Sequence, residues 1–226
     1  MSGNSTNLRQ LEQVSLREKV GRALRAAIVS GELEPGDVYS APALGAKFGV
    51  SATPVREAML DLVRENLVTT VPNKGYRVTT MDEADLDDIT ELRMLVEPPL
   101  AAQITPDVPA GDMPALRELA QAIVDGALAG DLVAYTEADR AFHLRLLEYA
   151  GNRRITALIS DLRAHTRLYG LAAMFERGEL EGSAREHHEI LDAIEAREPP
   201  KVEELMRAHI SKVRGAWANP EPTQRH

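Results

Sequence analysis

One aspartate and three histidines stand at spacings that could hold a metal ion. Asp139 and His143 are four residues apart, so on a helix they share a face, and Phe142 and Leu146 lie on it too. His187 falls on a stripe with Ile190, Leu191 and Ile194, and His209 on one with Val202, Leu205, Met206 and Val213. Three helices thus aim a carboxylate and three imidazoles at a bundle interior. Burying four titratable groups is costly unless they satisfy one another or a cation. The spacing alone allows either. The chain has no cysteine, which excludes disulfides and thiolate ligands. Zinc, nickel and manganese all accept imidazole with carboxylate. Tetrahedral coordination would close such a site, whereas octahedral coordination would leave two positions for a ligand.

Two further residues of the same region are candidates for binding an effector. Arg93 lies on the stripe Leu86, Ile89, Val96, Leu100, where its guanidinium could clamp a carboxylate; a helix-surface pair with Glu97 is the other reading. His165 lies on a stripe with Leu158, Leu162 and Tyr169, which suits an effector contact or a satisfied core histidine equally. His188, next to His187, points about 100° away and is expected to be exposed. Trp217 is expected to pack the last helix down.

The elements that must position these groups fill the second part of the chain. From Asp82 onward nothing reads as strand, and helical patterns fall at about 82–103, 113–128, 131–150, 152–175, 183–196 and 200–217. Short breaks between them describe an antiparallel bundle of about six helices. Pro98 and Pro99 are expected to kink the first of these or end it early. The terminal segments, 1–13 and NPEPTQRH, read as a flexible arm and a disordered tail.

The first 80 residues differ in pattern and in charge. They carry ten basic and eight acidic residues, or +2, whereas the remainder has 16 bases and 27 acids, or −11, which gives the chain its net −9. An amphipathic helix over Leu16–Ile28 stops at SGELEPGD. A short helix, APALGAKF, follows Ser40 and is broken by Gly49; Ser51 is placed to cap a third, with Pro54 in its first turn. Two β-like runs, LVTTV and YRVT, are joined by Pro72-Asn73-Lys74-Gly75, a hairpin signal. Three helices and a small hairpin in this order make a winged helix-turn-helix, whose second helix enters the DNA major groove. In that helix Val55, Ala58, Met59 and Leu62 form the apolar stripe, leaving Thr53 and Arg56 for DNA; Lys74 sits at the wing tip and Gly75 suits its tight turn.

The stretch SGELEPGD…LGAKFGVSATPVREAMLDLVRENLV…NKGYRV closely resembles the GntR family of bacterial regulators over about residues 16–79. Residues 82–217 resemble the all-helical FCD sensor of its FadR-type branch, in ELRMLVEPPLAA, DRAFHLRLLEYAGN, EHHEILDAIEA and MRAHI. In many members of that branch an aspartate and a histidine on one helix, with two later histidines, bind a divalent metal. The corresponding positions are Asp139, His143, His187 and His209. Two positions depart from the pattern: Ala52 stands where the family usually has arginine, and Asn66 where it usually has glycine.

The expected protein is mainly α: a winged helix-turn-helix over 1–80 joined to an all-helical effector, metal-binding and dimerisation domain over 81–226. Its expected function is sequence-specific binding of a double-stranded DNA operator as a homodimeric repressor, modulated by a small organic acid, a divalent metal or both, zinc before nickel or manganese. The alternative is a metal-dependent hydrolase with an appended helix-turn-helix, because a His/Asp metal with open positions could activate water. The polar N-terminus lacks a signal-peptide layout and no apolar run is long enough to cross a bilayer, so a cytoplasmic location is expected.

Overall fold

The computed structural model describes residues 15–166 and 170–217. Helix α1 (Leu16–Val29) opens on a reciprocal cap: the Glu18 N–H donates to the Ser15 hydroxyl and the Ser15 N–H to the Glu18 carboxylate. The chain then turns through Pro35-Gly36 into β1 (Val38–Tyr39) and helix α2 (Ala41–Phe48). Ser40 caps α2, accepting the Ala43 N–H, and Gly49 ends it at φ +68. Helix α3 (Ala52–Arg64) buries Val55, Ala58, Met59 and Leu62 against α1 and α2. Ser51 stands at its N-cap position, but its hydroxyl makes no capping bond, contrary to expectation.

Strands β2 (Val68–Val71) and β3 (Gly75–Val78) form the expected hairpin, but the sheet has three strands, ordered β1-β3-β2. The missed strand is two residues long and follows a Pro-Gly turn, so no alternation could reveal it. Its pairing, Val38 with Arg77 and Tyr39 with Tyr76, comes from tertiary contact. That pairing explains Gly75: at φ +138 a Cβ there would overlap the Tyr39 carbonyl oxygen. Gly75→Ala is therefore expected to cost about 1–3 kcal/mol and to loosen the wing from β1. An unchanged urea midpoint would show that the turn accommodates a side chain. Asn66 adopts φ +59, a conformation asparagine tolerates better than most residues, so the backbone geometry survives without the family's glycine.

The second core belongs to helices α4 (Glu83–Ile104), α5 (Met113–Ala129), α6 (Leu132–Leu147), α7 (Arg153–Thr166), α8 (Leu171–Glu176), α9 (Leu180–Glu195) and α10 (Pro199–Trp217). Leu116, Ile123, Phe142, Leu146, Ile190 and Met206 fill its centre. These are seven helices among the described residues where about six were expected. The segment read as one helix over 152–175 divides into α7 and α8, with Gly170 at φ +73 before α8.

Pro98 and Pro99 do not end α4, which continues to Ile104. Pro98 cannot donate to the Met94 carbonyl, but Arg207 of α10 reaches that oxygen at 3.5 Å. The neighbouring Leu95 is 65% exposed, so water can reach the backbone there. The arm, the tail and Tyr169 lie outside the described residues, as does the side chain of Trp217.

Candidate metal centre and DNA-reading face

The bundle brings Asp139 and His143 of α6, His187 of α9 and His209 of α10 together, with one potential ligand atom from each within 4.8 Å of the others. All three imidazoles are buried and Asp139 nearly so. His143 Nε2 lies 3.1 Å from His187 Nε2, and Asp139 Oδ1 lies 3.6 Å from the first and 3.2 Å from the second.

The outer nitrogens fix which atoms face inward. His187 Nδ1 donates to the Ala184 carbonyl at 2.9 Å, which can only accept. His209 Nδ1 donates to Glu186 Oε2 at 2.8 Å, and Lys212 Nζ holds the other Glu186 oxygen at 2.6 Å. Each neutral ring then points an Nε2 lone pair into the cluster. Lone pairs and a carboxylate oxygen facing one another in a buried space repel unless a cation or a proton lies between them. His143 Nδ1 is buried without a hydrogen-bond partner, 3.8 Å from Glu97 Oε2, too far to donate. The donor set fits a divalent ion that takes imidazole and carboxylate.

Electrostatics favour the ligand-ready forms of His143, His209 and Asp139. Burial, reinforced by the Arg163 guanidinium, pushes His143 well below the usual imidazole range. Burial also lowers His209, against the opposing pull of Glu186. Burial alone would raise Asp139, but Arg163 and His143 hold it well below the usual carboxylate range.

Sequence reasoning missed Arg163 and the role of Glu97. Arg163 of α7 donates through Nη1 to Asp139 Oδ2 at 2.9 Å, leaving Oδ1 to face the imidazoles. Its Nε and Nη2 reach Glu97 Oε2 at 3.1 and 2.6 Å. Arg93 Nε reaches the other oxygen, Glu97 Oε1, at 2.7 Å. Two guanidiniums and two carboxylates therefore form a buried array beside the imidazoles, closed to solvent at Arg93, Glu97 and Arg163. Arg93 pairs with Glu97, as one of its two expected roles had it, but inside the bundle rather than on the helix surface. Arg163 follows the buried Ile159 by one helical turn, a signal that could have placed it on the inner face. The side chain of His165 lies outside the described residues. His188 is half-buried rather than exposed.

At the other end of the molecule, Thr53 and Arg56 are exposed on α3 opposite its buried stripe, and Lys74 is exposed at the wing tip beside Gly75. Lys47 and Arg77 are exposed as well. No helix among the described residues is long and apolar enough to cross a membrane.

The pattern of the FCD domain matches residues 88–212, and that of the gntR family of bacterial regulatory proteins matches residues 16–78. A Streptomyces ambofaciens protein, described as an uncharacterized HTH-type transcriptional regulator in an unstable DNA locus, is 30% identical over 202 residues, covering 87% of this chain and 83% of its own. The HTH-type transcriptional repressor GlaR of Escherichia coli is 29% identical over 199 residues, covering 84% of this chain and 90% of its own. The solved structure of E. coli McbR/YncC shares the fold at a TM-score of 0.67 and 24% identity, covering 92% of this chain and 100% of that one. The similar proteins are transcriptional regulators and not enzymes, which removes the hydrolase alternative.

Proposed function

Because the chain belongs to the GntR family of bacterial regulatory proteins and carries an FCD domain, we propose that it is a homodimeric repressor whose operator binding answers to a divalent metal and a small organic acid. The observation that carries this reading is the convergence of Asp139, His143, His187 and His209, with the outer nitrogens of two rings already pinned. Those four residues would hold the ion, zinc before nickel or manganese. Bound there, it would supply a Lewis-acidic position for a carboxylate ligand. Arg93 and Arg163 would supply guanidinium donors to the same acid, exchanging part of their contact with Glu97 for it. His165 remains a candidate contact on the stretch of α7 nearest Arg163.

The reading head uses Thr53 and Arg56 in the major groove, with Lys74 and Gly75 bringing the wing to the backbone. A second copy would dock on the outer face of α4, where Leu92 and Leu95 are 44% and 65% exposed and Pro99 continues the strip one turn on. The paired heads would then meet half-sites about one helical turn apart. A cytoplasmic location goes with this role.

The test begins with an operator selected from random duplexes, titrated with metal-loaded and chelator-stripped protein. Arg56→Ala is expected to weaken operator binding by about 1–3 kcal/mol per half-site while leaving the fold intact. Lys74→Ala should lower the salt dependence by about one unit of slope per protomer. Unchanged affinity and slope in both variants would place α3 and the wing away from DNA. Equal affinity for operator with and without metal would reject modulation by the ion.

A further inference from the structure

The geometry points to Asn66 as a coupling residue that fastens the DNA-reading head to α7 and so passes the state of the buried arginine array to α3; we propose this on the reading above, in which that array answers to an effector. Asn66 is the first residue after the cap of α3 and is fixed to the head by two hydrogen bonds. It holds φ +59, its N–H donates to the Val63 carbonyl at 3.1 Å, and its carbonyl accepts the Thr79 hydroxyl at 2.8 Å. Its carboxamide leaves the head: Nδ2 donates to Asp161 Oδ1 at 3.2 Å, across 95 residues of sequence.

Asp161 and Arg163 lie on one turn of α7, and Arg163 grips both Asp139 and Glu97. A change in the array that shifts α7 through Arg163 would then reach the residue that Asn66 holds. The head also packs directly on the sensor through α1 against α6, where Glu137, two residues before Asp139, lies 3.9 Å from Arg22. Between the head and α6–α7 is a cleft of about 570 Å³, lined by Arg25 and Arg64 on one side and Glu137 and Arg140 on the other. The head thus has room to tilt. Asn66 and Asp161 are both exposed, so their bond is weak, as a contact that must form in one state and break in another has to be.

The position also allows a clean variant. Glycine adopts φ +59 without strain, so Asn66→Gly removes the carboxamide and leaves the turn. Asn66→Asp keeps tolerance of that φ but sets a carboxylate against Asp161. Because the chain has no cysteine, spin labels can be placed at Lys47→Cys on α2 and Arg185→Cys on α9, both exposed, and one labelled chain diluted into excess unlabelled protein. The distance distribution between the labels should be narrow in the otherwise unaltered protein and broader in both Asn66 variants. Arg163→Met, or Arg163→Lys if the methionine protein does not fold, should shift the distribution when Asn66 is present and not when glycine replaces it. Distributions that stay narrow in the Asn66 variants, or a response to Arg163 that persists in Asn66→Gly or is absent with Asn66 in place, would overturn the coupling. The label distances are all compared in chelator-stripped protein, and zinc content of the unaltered protein judges the metal reading separately.

Discussion

His187→Ala combined with His209→Ala is expected to abolish binding of a divalent metal, taking the content of untagged protein from about one ion per chain to a small fraction of that. Two of the four potential ligands are removed, and they are the two whose outer nitrogens are pinned by Ala184 and Glu186. Asp139 and His143 alone leave an i, i+4 pair on one helix, a much weaker chelate. Elemental analysis of both proteins is the measurement, with circular dichroism to show that the double variant folds. Equal metal content in the two would reject this ligand set. If the double variant does not fold, Glu186→Ala gives the same answer more gently: losing the outer partner of His209 should weaken metal affinity about 10–100-fold. The pH dependence has a definite sign. Burial lowers the pKa of His143 and of His209, so their neutral, ligating forms persist below the ordinary imidazole value. Metal release by acid is therefore expected below about pH 6.5 rather than at it.

The convergence of the three histidines could be anticipated from sequence because each lies on an apolar stripe of its own helix, and stripes face a common interior. The recognition helix was legible for the same reason. Its period places Val55, Ala58, Met59 and Leu62 inward and Arg56 outward without reference to the rest of the chain. What was illegible depends on partners far apart in sequence. Glu97 and Arg163 are 66 residues apart, and nothing local says that Glu97 turns inward to meet two guanidiniums. Strand β1 exists because β3 is beside it, and the carbonyl that Pro98 leaves open in α4 is met by Arg207 arriving from α10. The Asn66 departure read only as a lost glycine; its bond to Asp161 required the packing of one domain on the other. Local periodicity determines which face a residue occupies, whereas charge pairing across the core depends on which helices become neighbours.

That distinction gives the second large effect. Glu97→Gln is expected to destabilise the protein by about 3–5 kcal/mol, because it leaves two buried guanidiniums sharing one carboxylate. The amide nearly preserves volume, so the loss reports charge rather than packing. Burial alone would raise the pKa of Glu97, but Arg163 and Arg93 bring it down from 4.5 to about 2. A carboxylate whose pKa falls on folding contributes stability that is fully present above the unfolded value and is lost as pH drops through the folded one. The wild-type protein should therefore lose stability between about pH 4.5 and about pH 2 from this group, on the order of 3 kcal/mol. Glutamine cannot titrate, so the gap between the two proteins should narrow across that window. Urea unfolding at a series of pH values measures both quantities. A gap below about 1 kcal/mol at neutral pH, or one that stays constant into acid, would mean that Glu97 is not what neutralises Arg93 and Arg163. Glu97 is not among the four potential ligands, so Glu97→Gln should keep its metal. That outcome would separate the array, which holds the helices together, from the imidazoles, which would hold the ion.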